Sequence, residues 1–465
     1  MATIADGPAT SLNDLYRTLR PDPLINEEQL DKFYRGEVNE IRGEDTVARL
    51  SRKLQQAFGS VPFKTFVMGH PGVGKSTELT RLLFRVKDQQ RGIRLSVANE
   101  LNPASFKIFD VLLLMMIRII EETKAVSPAV LQELLSQQLF AQIEQWFGTE
   151  VQKKETKQTI GGSVEAGAGV KGGSLLGSLL GLFASVKGEI KYASDRSSEV
   201  VEYRLKRLPE LVGICNSLID LCSRALEEAE GKEWLLLIED LDKTGISPPQ
   251  LQELFIQYGT VFQDLRVNLI FTIPVWLAYS TDANRLPFDK HMIPDTPVYD
   301  RQHEPHELGR AAIRAVLEAR MLPKLFAADQ MTKLIIASGG NIRDLFSLAL
   351  DAAEFALLRD TNAGSIAEAD CIAAINSMRR DYRRKLGQSP YDPESITYEQ
   401  KLEKLLAVYH RSANSDIPDP ALYSLLRARA IQEFNGEGWF GIHPLVVDIL
   451  KEQQNLKPQD AGGTL

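Results

Sequence analysis

Nine consecutive residues constrain this chain more than any other stretch: Gly69-His-Pro-Gly-Val-Gly-Lys-Ser-Thr77. They follow the apolar run Phe63-Lys-Thr-Phe-Val-Met68, which Pro62 and Gly69 bound, and that is how a short buried parallel strand reads. After them Leu79, Leu82, Leu83 and Val86 recur at helical spacing. Strand, turn and helix in that order, with GxxxxGK[ST] satisfied throughout, describe a phosphate-binding loop. Gly69, Gly72 and Gly74 allow a tight turn whose N–H groups converge on phosphate oxygens, where a side chain would block the approach. The helix beginning near Lys75 adds the partial positive charge of its N-terminus. Lys75 is expected on the β- and γ-phosphates of ATP, and the Ser76 hydroxyl on Mg²⁺. His70, Pro71, Val73 and Thr77 complete the nucleotide-binding loop and need no special role.

The flanking sequence repeats the alternation. Val47, Leu50, Leu54 and Phe58 are helically spaced, Ile93–Ala98 predicts a second strand and Ala104–Lys124 a long apolar helix. Residues 127–148 and Ser197–Glu230 read as helix, with a third strand at Lys232–Ile238 and a fourth at Val267–Ile273, stopped by Pro274. Strands alternating with helices predict an α/β fold with a parallel sheet. Beyond about 300 the strand signals fade, and 306–320, 328–337, 342–358 and 365–380 predict a helical lid. Asp392-Pro393 reads as a linker, followed by two helices and a hairpin of Ala430–Phe434 and Trp439–His443 around Asn435-Gly436. That order is compatible with a winged-helix-like module, whose Trp439 and His443 are expected to pack inside it. The expected domains are a lead over 1–40, an ATPase core over 41–300, the lid over 301–385 and the small module over 395–465.

A P-loop ATPase needs carboxylates at a neighbouring strand tip, to hold the metal's water shell and to orient the attacking water. Ile238-Glu-Asp-Leu-Asp-Lys243 supplies three. In one register Glu239 takes the metal position and Asp240 activates water; in the other Asp240 takes the metal and no acid follows directly. Neither gives the usual Asp-then-Glu order, which points to slow turnover. Asp242 is left as a supporting residue or a contact to a neighbour. Thr272, ending the fourth strand, is placed to set a hydroxyl between metal and γ-phosphate.

Composition excludes several classes. Net charge is −8 with a pI near 5.5, so no global basic field draws the chain to nucleic acid or anionic lipid. Cys215, Cys222 and Cys371 have no CxxC spacing, which argues against a disulfide framework or a zinc site. The N-terminus lacks the basic and apolar regions of a secretory signal. The longest apolar run, Val111–Ile117, stops at Arg118 and falls short of the ~20 residues a membrane span needs. A cytoplasmic location is expected.

Glu239-Asp-Leu-Asp-Lys243 after a Leu-rich strand, Phe271-Thr-Ile-Pro274 after the next, and Ser338-Gly-Gly-Asn-Ile-Arg-Asp-Leu345 at a helix start together resemble the STAND/AAA+ group of P-loop ATPases. Within it the chain is most similar to bacterial switch ATPases and, more distantly, to archaeal origin-recognition ATPases, over about residues 30–360. The resemblance implies that Arg42 and Gly43, in Ile41-Arg-Gly-Glu44, frame the adenine. It implies that Arg343 is the sensor arginine of the lid, reaching the γ-phosphate through a planar fork of donors. It also implies ATP-dependent homo-oligomerisation and a finger residue supplied in trans, with Lys243, Arg301, Arg310 and Arg314 as candidates; the sequence shows no separate effector enzyme, so output is expected through a protein partner or through assembly. A DNA-acting role remains as the alternative that charge does not support, alongside a scaffold that holds nucleotide without hydrolysing it.

Between Gly161 and Gly188, nine of 28 residues are glycine, and Phe183–Tyr192 alternates polar with apolar. The segment 160–192 reads as a surface insertion, with membrane or partner contact through an unfurling hairpin as the sharper hypothesis.

Overall fold

The computed structural model describes residues 7–43, 45–130, 139–148, 188, 191, 196–243, 245–392, 396–434 and 438–456. At its centre is a five-stranded sheet of β1 (Lys64–Met68), β2 (Gln90–Ser96), β3 (Glu233–Glu239), β4 (Asn268–Ile273) and β5 (Lys290–Met292). Their spatial order is β2-β3-β4-β1-β5, and every pairing is parallel. Near-continuous apolar runs make this arrangement, because a parallel sheet is covered on both faces. Successive β3 residues divide between the faces, Leu235 and Leu237 to one and Leu236 and Ile238 to the other. The first face is covered by α1 (Thr46–Ala57) and α2 (Lys75–Val86) through Val47, Leu50, Leu54, Leu79 and Leu82. The second is covered by α3 (Ile108–Val126) and α4 (Leu208–Glu230). Cys215 and Cys222 are buried in α4, and the Trp234 indole donates to the Cys222 carbonyl at 3.2 Å. The parallel-sheet P-loop core with helical lid and small terminal module is as expected. β5 went unanticipated: Lys-His-Met is too short and polar to signal a strand, and its pairing to β1 alone defines it.

The lid comprises α5 (Glu307–Glu318), α6 (Gln330–Ala337), α7 (Ile342–Arg359) and α8 (Glu368–Lys385). The terminal module comprises α9 (Tyr398–His410), α10 (Pro420–Arg427), the antiparallel pair β6 (Ile431–Phe434) and β7 (Trp439–Ile442), and α11 (Pro444–Glu452). α11 was not expected; Pro444 at its first position starts it.

Three details go beyond the sequence pattern. The lead over 1–40 carries three short α-helices, Leu15–Thr18, Glu27–Phe33 and Glu37–Ile41. It is stitched to the lid, since Ala9 N donates to the Arg320 carbonyl at 2.8 Å and Leu322 N donates to the Ala9 carbonyl at 3.0 Å. Leu12, Leu15 and Leu19 are buried with it. In the linker, the buried Asp392 carboxylate accepts from Lys401 and Arg427, each at 2.8 Å. His443 packs against the lid rather than inside the module, stacked on Tyr382 at 4.1 Å. The predicted hairpin at 183–192 lies outside the described residues, Gly188 and Lys191 apart, as does most of the glycine-rich segment.

Candidate nucleotide site

The C-terminal ends of the strands lie level, which gathers the predicted chemistry at one edge. Ser96 pairs with Glu239 across β2 and β3, and Val67 pairs with Thr272 across β1 and β4. The loop from Gly69 to Gly74 leaves β1 there and enters α2 at Lys75. Gly72 and Gly74 take φ of 95° and 101°, a region other L-residues rarely adopt. Gly72 is doubly constrained: a Cβ there would lie 2.3 Å from Asn341 Oδ1 and 2.6 Å from Arg343 Cβ. The start of α7 therefore rests directly on the loop. A cavity of about 900 Å³ opens from this point, lined by Pro71–Glu78, Glu239, Asp240, Asp242, Thr272 and Arg343 and extending to Leu24, Phe33, Val38 and Phe346.

Lys75 is buried, and its ammonium donates to the Gly69 carbonyl at 2.9 Å, the His70 carbonyl at 3.1 Å and Asp242 Oδ2 at 2.6 Å. Asp242, not Glu239 or Asp240, is thus the acid facing the loop lysine. Glu239 ends β3 and accepts from Arg94 Nη2 at 2.9 and 2.7 Å. Burial pushes its carboxyl above the usual range even though Arg94, and a hydrogen bond from Ser76, oppose this. Asp240 accepts from the Ser96 hydroxyl and pairs with Lys243 at 3.0 Å. Its φ of 69° re-aims the chain just past the strand. The Thr272 hydroxyl is buried and makes no hydrogen bond among the described residues, so it has donor and acceptor capacity to spare at the place expected of it.

These residues fit a nucleotide with its cation. Ser76, Glu239 and Asp240 offer the hard oxygen donors Mg²⁺ takes alongside water, and Thr272 is an orphan that a phosphate oxygen or ordered water would satisfy. Among the described residues no group of three or more His, Cys, Asp or Glu could hold a metal ion.

Arg42 lines the cavity but is fastened to the protein. It is buried, donates from Nη2 to the Val73 carbonyl at 2.7 Å and from Nε to Thr296 Oγ1 at 3.2 Å, and so braces the phosphate loop from behind. Gly43, beside it, takes φ of 84° after the Glu37–Ile41 helix. Arg343 lines the cavity and carries no ion pair among the described residues. The four finger candidates all hold partners within the chain: Lys243 on Asp240, Arg301 over Trp439, Arg310 on the Val298 carbonyl and Arg314 on Thr332.

The less legible part is the joint above the loop. The Pro71 carbonyl accepts from Asn341 Nδ2 of the lid at 3.0 Å and from Arg429 Nη1 of the terminal module at 3.3 Å. Arg429 also donates to Asp344 Oδ1 at 3.0 Å, and Tyr382 donates to Asp344 Oδ2 at 2.8 Å. Burial alone would raise the Asp344 carboxyl, but Arg429 and Tyr382 hold it below its usual range. Burial drives the His443 imidazole down to about 3, so it is neutral; its Nε2 faces the Ser338 carbonyl at 3.2 Å and its Nδ1 accepts from Leu445 N. His70, given no role from sequence, is buried 4.0 Å from Asp295, and Asp295 N donates to the Glu433 carbonyl at 3.1 Å. Arg94 has no role in the sequence pattern beyond being a charge inside a predicted strand, which is the signal that marks it, and Asp242 is the third acid of its cluster. Asp344 lies within the quoted stretch Ser338–Leu345 without a role assigned to it there, and Arg429 has no local signal.

No family model matches the chain, and no curated protein matches it. Solved structures do. The ORC1 protein of Aeropyrum pernix, solved in complex with DNA, is 12% identical with a TM-score of 0.35, over 83% of this chain and 76% of that one. A Walker-type ATPase of Pyrococcus abyssi is 13% identical with a TM-score of 0.38, over 93% of this chain and 99% of that one. Both likenesses are distant, and the α/β fold stands on the parallel sheet order and the phosphate loop. Among the described residues no helix is long and apolar enough to cross a membrane.

Proposed function

We propose that this protein is a slow ATP-hydrolysing switch of the STAND/AAA+ class, in which the phosphate loop governs how the lid and terminal module are docked. One observation carries the reading: a single carbonyl of the loop, that of Pro71, accepts from both the lid and the terminal module. Mg-ATP would supply the charge that draws Lys75 from Asp242 and Arg343 into the cavity. Ser76 with Glu239 or Asp240 would hold the cation, Thr272 would meet the γ-phosphate side, and Arg42 with Gly43 would keep the loop and its approach in place. Any movement of Arg343 carries Asn341 and Asp344 with it, and those two residues hold the joint to Arg429 and Pro71. Closing the lid therefore loosens the terminal module, and hydrolysis restores the joint. Released, the module is free to engage a second copy or a partner protein in the cytoplasm.

The test is ATP turnover across a range of protein concentrations, with mass measured alongside, for the native chain and Lys75→Ala. Turnover that rises with assembly and vanishes in Lys75→Ala supports the switch; tight retention without turnover replaces it with a nucleotide-held scaffold. DNA stimulation that weakens steeply with salt would replace it with a DNA-acting ATPase, a reading that net charge −8 does not favour.

A further inference from the structure

Arg320 lies just beyond α5, is 5% exposed and lines the same cavity as the phosphate loop. Phe33 and Phe346 cover its guanidinium at 5.0 and 4.9 Å from their ring centroids. With its faces occupied by rings, only the edge N–H groups remain to bond. Nη1 donates to the Thr18 carbonyl at 3.4 Å, and the buried Nε has no acceptor. Among the described residues no carboxylate pairs with it, and the charge acting on it is another arginine, Arg35. Burial lowers its pKa to about 10, still well above neutrality.

A buried cation without a counter-charge is costly, and an unmet donor edge that opens on a cavity calls for an acceptor there, whether water, an ion or a ligand. The surroundings narrow that choice. Leu24, Val38, Val316 and Ile342 line the cavity together with Phe33 and Phe346. Apolar walls suit a flat ring and would strip the water from a phosphate without replacing it.

We propose that Arg320 recognises the nucleobase, its guanidinium edge donating to ring acceptors of a purine held between the lead and lid helices. This rests on the nucleotide-binding reading above and adds a base-reading residue to it. Arg42, the sequence candidate for that role, spends its donors on Val73 and Thr296 instead.

Calorimetric binding of ATP and of inorganic tripolyphosphate to the full chain separates the two assignments, with native protein, Lys75→Ala, Arg320→Met and Arg320→Lys. Arg320→Met should weaken ATP roughly 10-fold, the loss of one charged hydrogen bond, and leave tripolyphosphate within about two-fold. Lys75→Ala should weaken both ligands. Equal weakening of both by Arg320→Met would assign Arg320 to phosphate charge or to folding and overturn the proposal, as would no change in either. Native protein that binds neither ligand would overturn the nucleotide reading and this one together. Circular dichroism checks the Met variant; if it fails to fold, Arg320→Lys decides by whether its ATP affinity falls more than its tripolyphosphate affinity.

Discussion

Pro71 belongs to a nine-residue motif that stands out in the sequence; Arg429, which donates to its carbonyl at 3.3 Å, is 358 positions away in a stretch without any signature. The phosphate loop is a local object. Its glycines, its lysine and its helix start are neighbours in the chain, so the chemistry dictates a spacing that can be read. The joint takes Pro71 from that motif and Asn341 and Asp344 from the Ser338–Leu345 stretch, and completes them with Asp295, Tyr382, Arg429 and His443, each ordinary in its own neighbourhood. Two of the non-glycine residues at positive φ, Asp240 at 69° and Arg429 at 58°, stand one in each region. Such conformations cost on the order of 1–2 kcal/mol and persist where the surrounding structure demands them. The difference teaches that ligand chemistry leaves a sequence motif, whereas coupling between parts is written only in three dimensions.

The largest effect should come from Lys75→Ala, expected to weaken ATP on the order of 100-fold and to destabilise the fold by about 3 kcal/mol, since it leaves the Asp242 carboxylate, whose side chain is only 10% exposed, unpaired. Asp242→Asn sharpens the point in the opposite direction. Freed from its partner, Lys75 should bind ATP roughly 10-fold more tightly, and weaker binding would show that Asp242 positions the lysine rather than competing for it.

Next comes Arg429→Ala, which strips the counter-charge from Asp344, whose side chain is 7% exposed. Unfolding in urea should show a loss of about 2–4 kcal/mol, with limited proteolysis entering at residues 396–456 before the core. Uniform proteolysis across the chain would mean that the joint does not hold the module separately.

A smaller effect is set by pH. Burial raises Glu433, on β6 beside Asp295, to about 7 from an ordinary 4.5. The unfolded chain ionises this group first, so its contribution is complete below pH 4.5 and is lost as pH rises to about 7. The melting temperature of native protein should therefore fall between pH 5 and 7 relative to Glu433→Gln, by a few degrees. His70 and His443, both pushed down to about 3 by burial, act in the opposite sense, costing stability as pH falls below about 6.5. Parallel curves for native protein and Glu433→Gln would show that Glu433 is ionised in the joint.

Most of the core could be read because its determinants are local. The runs at Phe63–Met68, Lys232–Ile238 and Val267–Ile273 are apolar on both faces and became β1, β3 and β4 within a residue or two. β5 was missed because its three residues, Lys-His-Met, carry no pattern, and α11 because the hairpin signal at Asn435-Gly436 drew attention to the strands before it. At the site, the loop, Glu239, Asp240 and Thr272 are named from motif and strand end and Arg343 from the resemblance, and Pro71–Thr77 line one cavity with those four side chains. Asp242 was seen without its partner, since a carboxylate three residues past Glu239 reaches Lys75 only after the chain turns at Asp240. Arg320 sits in a helix end that looks like any other, and its orphaned donors appear only when Phe33 and Phe346 are brought around it.

Hydrogen exchange of residues 430–434 and 439–450, with and without Mg-ATP, tests the coupling most directly. Nucleotide should accelerate exchange in this segment at least 10-fold while slowing it at residues 69–78, and Lys75→Ala should abolish both changes. Slower exchange at the loop with no change in the terminal module would show that the two regions share a carbonyl without sharing a switch.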